Sequence, residues 1–276
     1  MPARAWGFKS PLGHHRKCLV GGLCNGSRMT TNQPESLHHR TFGGRSLRGS
    51  RFVGCDLTDV VIRGSEVSGM EIDSPWLLEG DGRLLVNGVD VVPIVDAELN
   101  RRSPGRELRT ATDPAGLRSA WSAVERAWAA TVDRATLMPE GTTDASVDGE
   151  WSLAQTLRHL VMATDTWLGK AILELEQPYH PAGLPHDGHD SAAYQPSVFS
   201  VERPSFAEVL AARCERQAMV RDFLAAIQPH ELAESRKNPH SPDQPETVRS
   251  CLSTILEEEW EHHRYAVRDL DRLSTD

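Results

Sequence analysis

The chain has 276 residues, 39% hydrophobic and 25% charged, an ordinary balance for a soluble globular protein. No apolar run approaches the ~20 residues that cross a bilayer, and the first residues hold no apolar core of a secretory signal, so neither a membrane partner nor export is expected. The net charge of −9 is unevenly spread: residues 1–51 hold nine Lys/Arg against Glu35, a net +8, which leaves −17 on the remainder. A body this acidic is a poor partner for nucleic acid.

Residues 1–39 are rich in Gly, Ser, Asn and Pro and lack hydrophobic periodicity. They read as a disordered, solvated basic tail, with Met29 as an alternative start that would make 1–28 an extension. His14, His15, Cys18 and Cys24 imitate zinc ligands inside that tail. The five cysteines, at 18, 24, 55, 214 and 251, form an odd, unpatterned set. That favours reduced thiols and a cytoplasmic location over a disulfide framework.

From residue 40 to 73 the sequence has a period of five. Phe42, Leu47, Phe52, Leu57, Ile62, Val67 and Ile72 fall in register. Two residues before each stand Arg40, Arg45, Ser50, Cys55, Val60, Ser65 and Met70. Five matches neither a helix at 3.6 nor a flat strand at 2. It fits a solenoid that turns a corner every fifth residue and points the large apolar residue inward. The run resembles the pentapeptide-repeat family, and the resemblance implies a short right-handed parallel β-helix of about two coils, serving a structural or docking role. Residues 74–112 read as cap and linker. They contain an apolar strand at Leu84–Val86, a turn at Asn87–Gly88, a return strand at Val89–Val92 and a helix opening at Pro93.

Beyond residue 112 the pattern is helical. Asp113 before Pro114 is an N-cap with proline in the first turn, and Leu117, Trp121, Val124, Trp128 and Val132 mark one face to about residue 136. Ser152 with Gln155 forms a capping box ahead of a stripe from Leu153 to Ile172. Ser205 with Glu208 opens a third helix through Val209, Ala212, Ala218, Phe223 and Ile227. A fourth runs from about Glu246 to Leu273 through Leu252, Ile255, Leu256, Val267 and Leu270. Four amphipathic helices over residues 113–273 imply a four-helix bundle, so the fold class expected is α+β multidomain, a short solenoid followed by an all-α domain. The connection 176–203 is long enough to be a crossover or to roof a site at one end of the bundle.

The fourth helix holds the chemistry. Glu257, Glu258, Glu259, Trp260, Glu261, His262 and His263 follow one another, and two i,i+4 pairs arise, Glu258 with His262 and Glu259 with His263. Either pair offers one carboxylate oxygen and one imidazole nitrogen to a single metal. His159 on the second helix is the best third ligand, and three protein ligands leave a position open for water or substrate. A Glu/His-rich stretch is also what a solvated helix face looks like, and His159 alone also fits a satisfied core histidine. In the long loop, His180 and the run His186-Asp187-Gly188-His189-Asp190 suggest a second metal site or a polar loop.

Trp151-Ser152 followed by His159 resembles the opening motif of the DinB-like bundle superfamily. Its members hold a divalent metal with that histidine and a pair on the fourth helix. In the branch of mycothiol-dependent maleylpyruvate isomerases and related thiol S-transferases the pair reads E-x-W-x-H, and Glu258-Glu259-Trp260-Glu261-His262 is similar to it. The resemblance, spanning about residues 113–273, implies His159, Glu258 and His262 as ligands. Glu259 and His263 stay open as the other register, because His263-Arg264 is similar to the ending of other members. Zinc suits such a mixed nitrogen/oxygen set, and nickel, manganese or iron would tolerate it; the resemblance also implies a low-molecular-weight thiol attacking a small electrophile. The pairing of a pentapeptide run with such a bundle resembles an actinobacterial two-part protein. The alternative is a metal-binding stress-response or docking module without catalysis. A homodimer is compatible with either.

Overall fold

The computed structural model describes residues 37, 39–185 and 194–275, which divide into two units between Ser65 and Glu66. Apart from Leu37 and His39, the basic tail, with His14, His15, Cys18 and Cys24, lies outside the described residues. So does the run His186–Asp190.

In the first unit the period of five is written in the backbone. His39, Gly44, Gly49, Gly54, Asp59 and Gly64 all have positive φ, and Gly69 continues the series along the chain. Glycine adopts that conformation at no steric cost, and the short polar side chain of Asp tolerates it. Every second corner is closed by an i→i+3 hydrogen bond, as in Ser50 N–H to Leu47 O (3.0 Å) and Val60 N–H to Leu57 O (3.2 Å). Among the described residues the segment 40–73 contains no strand. The seven registered apolar side chains are 49–58% exposed, not enclosed as the periodicity predicted. The described chain around them is too short to cover them.

In the second unit a hairpin pairs β1 (Leu85–Val86) with β2 (Val89–Asp90), Val86 opposite Val89. Its two-residue turn, Asn87 (φ 51°) and Gly88 (φ 83°), has the double left-handed geometry that matches strand twist. Helix α1 (Val92–Arg102) follows, with Pro93 in its first turn. After it, Gly105 (φ 95°) lies so close to the helix that follows that an added Cβ would fall 2.4 Å from Ala123 Cβ. Both the conformation and the approach demand glycine there.

The bundle consists of α2 (Pro114–Thr136), α3 (Leu153–Thr164), α4 (Phe206–Ala226) and α5 (Val248–Leu273). The caps read from sequence are formed. The Asp113 carboxylate accepts from the Ala115 and Gly116 N–H groups, and both reciprocal bonds of the Ser152/Gln155 and Ser205/Glu208 boxes are present. Helix α2 packs on α4 and α5, and α3 packs on the same two helices, so α2 and α3 face each other across the bundle. The core between them holds Leu117, Trp121, Val124 and Trp128 of α2, Leu157 and Leu160 of α3, and Leu252, Ile255, Leu256 and Trp260 of α5. Among the described residues no helix is long and apolar enough to cross a membrane.

Three features depart from the expected pattern. The second bundle helix changes after Thr164 into a π-helical stretch, Asp165–Ile172, where Gly169 lets Pro178 approach; a Cβ there would lie 2.6 Å from Pro178 Cβ. The buried face of α4 runs through Val209, Ala212, Arg213, Val220 and Leu224, whereas Ala218 and Phe223 are only half-buried. The expected stripe holds at Val209, Ala212 and Ile227, and Arg213 takes a core position between them. A second short hairpin, β3 (Ser235–Arg236) with β4 (Glu246–Thr247), leads into α5, whose cap is Thr247.

Candidate metal centre

His159 lies in the second turn of α3, on the face pointed at α5, and is fully buried (0% exposed). Glu258 (5%) and His262 (3%) lie one turn apart on α5 and face it. One donor atom from each comes within 4.8 Å of the other two. Glu258 Oε2 is 3.3 Å from His262 Nδ1 and 3.6 Å from His159 Nε2. Among the described residues no other three His, Cys, Asp or Glu side chains converge in this way.

Backbone carbonyls orient both rings. His159 Nδ1 donates to Leu184 O at 3.2 Å, and His262 Nδ1 donates to Glu258 O, one turn back, at 2.9 Å. A carbonyl only accepts, so each neutral ring carries its hydrogen on Nδ1 and its lone pair on Nε2. The rings stack 4.8 Å apart, and Trp151 lies 4.8 Å from the His159 ring and 6.3 Å from that of His262. The tryptophan at the mouth of α3 thus covers the imidazole pair.

Burial governs the electrostatics. It pushes the pKa of both His159 and His262 down to about 4, so both are neutral near pH 7. It pushes Glu258 up to about 7, against the pull of His262. Among the described residues Glu258 Oε2 has no hydrogen-bond partner, although it is buried. A buried carboxylate oxygen in that state is costly unless a cation or donor meets it. Two neutral imidazoles and one carboxylate form a donor set suited to a divalent ion, and the orphaned oxygen fits that ion.

The other register is built for packing. Glu259 is buried about 100° round α5 from Glu258 and pairs with Arg213 of α4. His263 Nε2 lies 2.9 Å from Thr131 Oγ1, with its ring edge-on to Trp128 and Trp260. Neither faces His159. His180 serves the loop: its Nδ1 accepts from the Ala182 N–H (3.1 Å), and its own N–H donates to Asp165 (2.8 Å). The Glu/His run is therefore not a solvated face, since four of its members are buried.

Sequence reasoning missed the groups behind the centre. Arg213 is buried, and among the described residues its Nε and Nη1 have no hydrogen-bond partner. Asp165, held up in pKa by burial, is bridged to Arg216 at 2.8 Å and anchors the start of the long connection. A charged residue interrupting an apolar stripe was the available signal for Asp165 and Arg213.

A family model described as the DinB superfamily matches residues 123–266, just over half of the chain, and spans all three donors. No curated protein and no solved structure gives a significant match.

Proposed function

The chain belongs to the DinB superfamily, and from the centre in its bundle we propose that it is a divalent-metal protein that transfers a small thiol to an electrophile or isomerises the adduct. The observation that carries this reading is the Glu258 carboxylate oxygen, buried without a hydrogen bond among the described residues beside two imidazoles whose Nδ1 hydrogens are held by carbonyls. His159, Glu258 and His262 hold the ion, zinc by preference, with nickel, manganese or iron accepted by the same mixed set. When bound, such an ion supplies a Lewis-acidic position that favours a thiol in its thiolate form. Three protein ligands are one fewer than a closed structural zinc site uses. Leu184 and the Glu258 carbonyl fix the ring tautomers, and Trp151 covers the imidazoles. The similarity of Glu258-Glu259-Trp260-Glu261-His262 to E-x-W-x-H supports a mycothiol-type thiol as cosubstrate.

The test is thiol consumption with a panel of small electrophiles, comparing zinc-loaded wild type with His159→Ala taken through the same zinc treatment. Turnover only in the wild type is expected. Absence of turnover with every pair, in protein that holds zinc, would leave the second reading, a metal-stabilised module without catalysis. The burial of all three donors favours that reading. For residues 40–73 we infer a short right-handed parallel β-helix, supported by the left-handed corner at every fifth residue, and acting as a structural or docking element of a cytoplasmic protein.

A further inference from the structure

Arg158 precedes His159 on α3, and its guanidinium is committed to backbone. Nε donates to Ala182 O (2.9 Å), Nη1 to Glu202 O (2.9 Å) and Nη2 to Val201 O (3.0 Å). The Arg158 carbonyl in turn accepts from the Leu184 N–H (3.1 Å). Burial moves its pKa downward, and among the described residues no carboxylate is paired with it. The guanidinium fork thus holds three backbone carbonyls at once.

Those acceptors come from the two sides of one loop neck: Ala182 on the outgoing chain, Val201 and Glu202 on the returning chain. The neck is also closed by Val201 N–H to Pro181 O (3.2 Å). Gly183 is pressed against Phe199, where an added Cβ would lie 2.9 Å from the ring. The next residue is Leu184, whose carbonyl is the acceptor on His159 Nδ1. The path from guanidinium to imidazole is thus two hydrogen bonds joined by the backbone from Ala182 to Leu184, anchored at both ends in consecutive residues of α3.

We propose that Arg158 is a positioning residue for the metal ligand His159: it ties the loop neck to α3 and so keeps the Leu184 carbonyl on Nδ1 and the lone pair on Nε2. The inference rests on the metal reading for its consequence, though not for its geometry. Partners that fix a ligand's tautomer commonly change metal affinity by about 10–100-fold when removed. Lysine keeps the charge but lacks the planar fork, so it cannot serve three carbonyls at these angles.

The experiment uses full-length protein as wild type, Arg158→Ala and Arg158→Lys. In the metal-free state, imidazole 15N shifts report the tautomer of His159, which a purely structural role for Arg158 would leave alone. The wild type is expected to show a single Nδ1–H form and R158A a mixture. Zinc affinity, by chelator competition, is expected to fall tenfold or more in R158A and less in R158K. An unchanged tautomer with affinity within twofold of wild type overturns the proposal. Should R158A not fold, R158K decides on the same two readouts. If wild type binds no zinc but the tautomer responds, the metal reading fails and the positioning role stands. If zinc binds wild type and variants alike with the tautomer unmoved, the positioning role fails alone.

Discussion

Replacing Glu258 with Gln makes metal binding and stability move in opposite directions. In the metal-free protein, burial raises the Glu258 pKa from 4.5 to about 7. A carboxyl whose folded pKa lies above its unfolded one favours the folded state only while protonated. The wild type therefore loses stability as pH rises from 4.5 to 7 and carries the full penalty above that. At about 1.4 kcal/mol per pKa unit the penalty is about 3 kcal/mol. A glutamine of the same shape escapes it but buries an amide, which returns roughly a third. Metal-free E258Q should thus be about 2 kcal/mol more stable than wild type at pH 8, a rise of about 4–8 °C in melting temperature, and close to wild type at pH 4.5. Excess zinc should reverse the order at pH 8, because only the wild type gains binding energy from a complete ligand set. Differential scanning calorimetry at the two pH values, with and without zinc, reads all four conditions. A metal-free E258Q that is less stable at pH 8, or that zinc stabilises as much as wild type, refutes the reasoning.

The buried Arg213–Glu259 pair should behave asymmetrically: R213M alone strands a buried carboxylate and costs about 3–5 kcal/mol in urea unfolding, whereas R213M with Glu259→Leu returns close to wild type. Gly105→Ala should cost at least about 2 kcal/mol, since it places a side chain at φ 95° and against Ala123. Asp96 joins α1 to Arg106 and Arg109; burial opposes its ionisation, but the two guanidiniums win and hold its pKa below 3.8. Its contribution is present above pH 3.8 and lost as pH falls through the lower folded value, so the acid unfolding of Asp96→Asn should lack that last component.

What was legible in the sequence was mostly local. Asp113, Ser152 and Ser205 announce helix starts because a cap needs only its own next three residues, and Asn87–Gly88 announces a hairpin because the turn needs only φ > 0 twice. Spacing on the fourth helix left two Glu–His pairs open. Which one meets His159 depends on how α5 rolls against α3, and the tryptophan of the motif favoured the pair whose donors do converge. The rest is non-local. Whether Phe42 or Ile62 is covered depends on how much chain surrounds it. The π-helical turn at Asp165, the inward Arg213 and the Leu184 carbonyl on His159 depend on which distant segments fold back, and hydrophobic periodicity does not carry that.

The metal centre is tested most directly by the ion itself. Elemental analysis of purified protein, reconstituted with zinc and desalted, should find about one zinc per chain in the wild type and little in His159→Ala or His262→Ala. Glu259→Gln and His263→Ala, on the packing side of α5, should keep theirs. A wild type that retains no divalent metal, or a His159→Ala variant with unchanged stoichiometry, would contradict it.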